Sequence, residues 1–190
     1  MNALRMAKGL GADVTILDID VERLRFLDVA MDNLHTLYSS EANLIQLMPD
    51  CDLLIGAVLL PGAKAPMLIS NALVARMQPG SVLVDISIDQ GGCFEDSRPT
   101  THAEPTYMVH NSVFYCVENM PGAVPHTSTY ALTNVTLPYA VALANKGWRQ
   151  AMRDDHSLAL GLNTYDGYLT NGPVAEAHGR EHLSLEKVLS

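Results

Sequence analysis

The sequence predicts an α/β protein, a doubly wound parallel sheet followed by C-terminal helices. Two observations carry this prediction. Strand-type and helix-type segments alternate from the start to about Val117. After Thr127 the character changes to small and apolar residues at helical spacing.

The elements follow in order. Ala3, Leu4, Ala7 and Leu10 have helical spacing, and Gly9 and Gly11 supply a C-terminal stop. Val14 to Leu17 is a short apolar strand closed by Asp18. A second helix has Leu24, Leu27 and Val29 as its apolar positions. LHTLYSS is a weaker candidate for a short strand, and EANLIQLMPDC reads as a helix ending near Pro49. DLLIGAV is a continuous apolar run, as expected of a parallel strand buried on both faces. A loop with Pro61, Gly62 and Pro66 follows. SNALVARMQPG is then a short amphipathic helix, with Ser70 as N-cap and Pro79-Gly80 as terminator. VLVDISI is the next strand, and YMVH with VFYCV come after another loop. In STYALTNVTLPYAVALANKGW, Pro138 predicts a kink or a boundary. The tail is polar, with a last amphipathic turn or two.

Composition narrows the function. An apolar share of 48% against 17% charged residues supports a packed core rather than disorder. The net charge of -9 argues against nucleic acid as the main partner, because phosphate binding needs a basic face. No apolar run has the length of a membrane span, and the opening MNALRMAKGLGADV has no signal-type apolar stretch. Cys51, Cys93 and Cys116 stand at unrelated spacings and suit a reducing cytoplasm better than a disulfide framework. The expectation is a cytoplasmic protein with no membrane partner.

Four stretches bear on chemistry. Asp18 ends a strand after a helix and a glycine turn, where a dinucleotide-binding fold places the acid that bonds the ribose hydroxyls; a surface aspartate at a strand end is the plain alternative. Gly56 and Ala57 are small residues at another strand end, where a flat ligand approaches backbone, or where a loop merely begins. Lys64 in that loop reads as solvated. Asp89, followed by Gly91 and Gly92, falls where open α/β sheets bind ligands, and serves either as general acid or base or as a turn cap. Cys93 reads as a core cysteine rather than a nucleophile. HGREH at His178 to His182 matches a zinc-peptidase pattern, but Gly179 weakens the helix that the motif needs, so no metal site is expected.

Taken together, GADVTILDID, IGAVLLPGAKAP, VLVDISIDQGGCFEDSRPTTH, FYCVENMPGAVPHTSTYALTN and LPYAVALANKGW resemble the alanine dehydrogenases. They span most of the chain, in order. The resemblance implies a Rossmann-type fold and reversible NAD-dependent deamination of L-alanine to pyruvate and ammonium, with intact members homohexameric. By position it implies Asp18 as the ribose acid, Arg23 near the adenosine end and Ser39 on the adenine side. Val58 and Leu59 match the loop over the dinucleotide. Ile86, Ser87, Ile88 and Asp89 match the strand end near the nicotinamide, with Asp89 as the catalytic aspartate. Arg98 matches a cofactor-contacting arginine, and Val117, Glu118, Asn119 and Met120 line the nicotinamide pocket.

The resemblance also implies what to expect of the whole. Residues 1–125 correspond to an NAD-binding domain lacking its first strand and glycine loop, so the Rossmann sheet is incomplete. Residues 126–190 correspond to a helical segment that completes the substrate domain. The substrate domain, with its carboxylate-binding cations and catalytic histidine, has no counterpart, so a truncated and inactive dehydrogenase is expected. The alternative is a noncatalytic NAD-binding component or remnant related to the transhydrogenase alpha subunit.

Overall fold

The computed structural model describes residues 1–190. Helix α1 (Asn2–Gly9) buries Leu4 and leads to strand β1 (Val14–Asp18). Helix α2 (Val21–Ala30) is capped by Asp20, whose carboxylate accepts the Glu22 and Arg23 N–H groups. It buries Leu24 and Leu27, whereas Val29 is exposed, because it stands on the opposite face from Leu27. LHTLY does form a strand, β2 (Leu34–Tyr38), which pairs in parallel with β1 from Val14↔Leu34 to Asp18↔Tyr38. Helix α3 (Glu41–Leu47), capped by Ser40, runs into a 3-10 turn at Met48–Asp50.

Strand β3 (Leu53–Gly56), the one-turn helix α4 (Asn71–Val74) and strand β4 (Val82–Asp85) come next. Strands β5 (Thr106–Val109) and β6 (Ser112–Tyr115) form an antiparallel hairpin. The sheet order is β3-β4-β6-β5, with β3, β4 and β6 mutually parallel. Strands β1 and β2 form a separate pair. Two hydrophobic clusters match the two sheets. The larger is built on Met48, Val74, Leu83 and Phe114, and the smaller on Leu4, Leu27 and Leu34.

Three further expectations are corrected. The VLVDISI strand stops at Asp85, and Ile86–Gln90 is a 3-10 turn, because the Asp85 carboxylate accepts the Ser87 N–H and caps it. DLLIGAV is not buried on both faces: Leu53 is 50% exposed, because β3 has a sheet neighbour on one side only. Pro138 does not break its helix, since α5 (Pro125–Asp154) continues through it. The break falls at Gly147, whose φ of 71° and ψ of 158° belong to a region that only glycine adopts readily. Beyond it, α6 (His156–Ala159), the small hairpin β7 (Thr164–Tyr165) and β8 (Tyr168–Leu169), α7 (Gly172–Ala177) and α8 (Leu185–Leu189) close the chain around Ala151, Ala159, Ala175 and Val188. No helix is long and apolar enough to cross a membrane.

Candidate functional site

The candidate residues collect on the carboxyl ends of the parallel strands, in two groups. The first lies at β1 and β2. Asp18 is the last residue of β1, and its carbonyl accepts the Ser39 N–H at 2.9 Å, which holds Ser39 beside it. Asp18 Oδ1 accepts the Asp20 N–H at 3.0 Å. Its Oδ2 faces Arg23 Nε at 3.8 Å, an ion pair too long for a hydrogen bond. That oxygen therefore keeps acceptor capacity for vicinal hydroxyls, with a cation beside it.

The second group lies beyond β3, β4 and β6. The loop after β3 is stitched to the 3-10 turn after β4. Ser87 Oγ accepts the Val58 N–H and donates to the Val58 carbonyl. Gln90 accepts the Leu60 N–H through Oε1 at 3.3 Å and the Ala65 N–H through its carbonyl at 3.0 Å. Within the turn, Ser87 and Ile88 are buried, while Ile86 and Asp89 face outward. Leu59 is exposed. Thus Asp89, Ile86 and Leu59 are available to a ligand, whereas Ser87 and Ile88 support the turn from below. Lys64 is exposed, and its aliphatic stem lies along Gly91.

Gly56 has a role other than ligand approach. A Cβ there would meet Cys93 Sγ and come within 2.7 Å of Phe94 Cζ. Its smallness serves the packing of the loop 93–97 against β3. That loop is held by Asp85, which sequence reading missed. Asp85 is fully buried. Its Oδ1 accepts the Ser87 N–H at 2.9 Å, and its Oδ2 accepts the Cys93 N–H at 2.8 Å and the Ser97 hydroxyl. The Cys93 thiol also donates to Oδ1 at 3.4 Å. Burial first, and then the Asp85 charge, push the Cys93 thiol up to about 12, so this cysteine is an inert core group.

Beyond β6, Val117 is fully buried and pairs with Thr100, while Glu118 and Asn119 are exposed. Asn119 takes a left-handed conformation (φ 56°), and its carbonyl lies 3.1 Å from His102 Nε2. Met120 opens a 3-10 turn. Arg98 stands apart from the first group. Its guanidinium stacks 4.0 Å over the Tyr107 ring, and the Arg98 backbone N–H donates to the Tyr107 hydroxyl. Burial first, and then a hydrogen bond with Cys116, raise the Tyr107 hydroxyl above its ordinary value. The HGREH segment is not helical: α7 ends at Ala177, and the chain turns at Gly179.

Parallel strands alternating with helices, with an acid at one strand end and loops over the neighbouring ends, define a Rossmann-type fold. Residues 1–172 match the family described as alanine dehydrogenase/PNT, C-terminal domain, and the chain belongs to that family. An alanine dehydrogenase of Mycolicibacterium smegmatis is 57% identical over 176 residues, 92% of this chain and 47% of the relative. One from Halomonas elongata is 56% identical over 189 residues, 99% of this chain and 51% of the relative. The chain therefore spans about half the length of the curated relatives it matches. A solved L-alanine dehydrogenase superimposes with a TM-score of 0.81 at 49% identity, covering 93% of this chain and 49% of that one. A transhydrogenase from Sinorhizobium meliloti, at 20% identity and a TM-score of 0.59 over 67% of this chain and 38% of that one, shares the fold.

Proposed function

We propose that this chain forms the NAD-binding half of an L-alanine dehydrogenase, the enzyme that converts L-alanine, NAD+ and water to pyruvate, ammonium, NADH and a proton, reversibly. The observation that supports this reading is the gathering of Asp18, Ser39, Leu59, Ile86, Asp89, Glu118 and Asn119 at strand ends, in a chain 57% identical to a curated alanine dehydrogenase. NAD, when bound, supplies the hydride acceptor.

The chain's own residues divide the work. Asp18 takes the ribose hydroxyls on Oδ2, with Arg23 beside it. The loop of Val58 and Leu59, clamped by Ser87, covers the dinucleotide. Val117 to Met120 bound the nicotinamide end, and Val117 anchors that wall in the core. Asp89, exposed on its capped turn, takes or returns a proton at the reacting substrate. Arg98 supports the wall through Tyr107. Residues 126–190 return to complete a substrate domain. The setting is cytoplasmic, and the assembly is the family's homohexamer.

Substrate binding draws on groups that this chain does not cluster near Asp89, so the chain alone gives no steady turnover. The experiment joins it to the remaining half of the Mycolicibacterium smegmatis relative and follows NADH oxidation with pyruvate and ammonium. Turnover by the joined protein supports the reading. A folded, NADH-binding chimera that leaves pyruvate untouched rejects it.

A further inference from the structure

The wall beyond β6 is held by backbone on one side. Thr100 lies along it as the parallel partner of Val117. The Thr100 N–H donates to the Cys116 carbonyl at 3.0 Å, and the Thr100 carbonyl accepts the Glu118 N–H at 3.2 Å. That ladder ends at Glu118. The next residue, Asn119, leaves the extended conformation for the left-handed one, with φ 56° and ψ 50°. Few residues other than glycine rest there, and asparagine is among the more tolerant. Such a conformation persists only where the surroundings hold it.

The holding is done at the Asn119 carbonyl. It accepts the Gly122 N–H at 2.8 Å, which closes the turn that follows, and it faces His102 Nε2 at 3.1 Å. A carbonyl oxygen only accepts, and its two lone pairs serve both partners, so Nε2 carries the hydrogen and donates it. His102 reaches over from two residues past Thr100, and its own base is tied. Thr100 Oγ1 donates to the Pro105 carbonyl at 3.0 Å, and Thr101 Oγ1 accepts the Glu104 N–H at 3.3 Å. The groups are crowded: a Cβ on Gly122 would lie 3.0 Å from Asn119 Nδ2 and 3.4 Å from His102 Nε2. His102 and Asn119 are both exposed, so the contact is not a by-product of core packing.

We propose that His102 is a positioning residue for the nicotinamide end of the cofactor: its Nε2–H pins the Asn119 carbonyl and so fixes the direction of the wall from Val117 to Met120. His102 acts through Asn119 rather than by touching the cofactor. The consequence for the cofactor rests on the dinucleotide reading, whereas the pin itself stands on the chain's own hydrogen bonds.

Two substitutions separate the donor from the ring. His102→Phe keeps a flat ring and removes the donor, whereas His102→Gln removes the ring and offers an amide N–H at similar reach. Amide exchange at Gly122 is read in the chain itself. Affinity is read in the joined protein with two probes, NADH and ADP-ribose, the second of which lacks the nicotinamide. His102→Phe is expected to speed exchange at Gly122 by about fivefold, the weight of one hydrogen bond. It should weaken NADH by about fivefold and leave ADP-ribose within about twofold. His102→Gln should restore most of both losses. Parental exchange in the Phe variant, or equal losses in the Phe and Gln variants, overturns the proposal. Parental NADH affinity despite faster exchange overturns it too. So does a loss of ADP-ribose affinity as large as that of NADH, because the effect is then general to the fold. Faster exchange in the Phe variant, restored by Gln, in a parent that binds neither probe upholds the pin and rejects the dinucleotide reading instead.

Discussion

Ser87 and Val58 exchange two hydrogen bonds: the Ser87 hydroxyl accepts the Val58 N–H at 2.9 Å and donates to the Val58 carbonyl at 2.9 Å. One side chain thus closes both backbone groups of a residue 29 positions earlier, and the loop after β3 moves as one piece with the turn that carries Asp89.

Ser87→Ala removes both bonds and leaves the Val58 groups short of partners. The expected cost is about 1–3 kcal/mol of stability. NADH affinity of the joined protein should fall several-fold while kcat changes less, because the variant loosens the covering loop without altering Asp89. Melting and NADH titration of parent and variant check this; superimposable curves in both would remove the clamp from the account.

Asp85→Asn turns one of the two accepting oxygens into an NH₂, so either the Ser87 N–H at Oδ1 or the Cys93 N–H at Oδ2 is left facing a donor. The expected loss is about 3 kcal/mol, since hydrogen bonds to a charged group are the stronger ones. Cys93 should become accessible to a thiol reagent under native conditions as its loop opens. A variant that melts like the parent and keeps Cys93 protected contradicts the anchoring role.

The alkaline limb follows from Cys93. Burial raises its folded-state value from the ordinary 9.0 to about 12, so between these values the unfolded chain releases a proton that the folded chain retains. The stability tied to this group is fully present below about pH 9 and is lost as pH rises towards about 12. Cys51 and Tyr107, also raised by burial, act in the same direction. Urea midpoints from pH 7 to 11 measure it. A Cys93→Ala variant should show a shallower alkaline decline, and an equal decline would shift the cause to other groups.

Asp89→Asn in the joined protein should lower kcat by about 10²–10⁴ and leave NADH affinity within a factor of about two, because the change is nearly isosteric and removes only charge and proton-accepting capacity. An unaltered pH–rate profile returns Asp89 to the role of a turn residue.

If Asp18 has the proposed ribose role, Asp18→Ala should weaken NAD far more than NADP, because such a carboxylate accepts from the ribose hydroxyls and repels a 2′-phosphate. The readout is the ratio of kcat/KM for the two cofactors. A ratio that does not move would detach Asp18 from the ribose.

Much of this was legible in the sequence, for identifiable reasons. Asp18 was legible as the acid that closes a short apolar strand, and it is the last residue of β1, whereas Ser39 came only with the resemblance. Helix α2 was legible at Leu24 and Leu27 but not at Val29, where hydrophobicity alone carried no face. VLVDISI misled because its isoleucines are apolar whether they lie in a strand or in a 3-10 turn. The signal of the turn was the aspartate inside the run with a serine two residues later, an arrangement in which a side chain replaces a strand partner. The split between β1 and β3 was invisible to periodicity, because an apolar pattern states that a strand exists and not which strand lies beside it.

The torsions of Gly147 have a mechanical meaning. The helix before it, from Pro125 to Lys146, is about 33 Å long at 1.5 Å per residue, and everything from Trp148 to Ser190 hangs from its far end. A bond from Lys146 to Asp154 at 2.5 Å braces the elbow from outside. A Cβ at position 147 would touch nothing within 4 Å, so space is no obstacle, but an alanine there would have to hold a positive φ that L side chains rarely adopt. The far end of the arm is seated as well: a Cβ on Gly62, in the loop after β3, would lie 3.2 Å from both Asn171 and Pro173. The glycine therefore sets the angle that brings the tail back against the loop beyond the parallel strands.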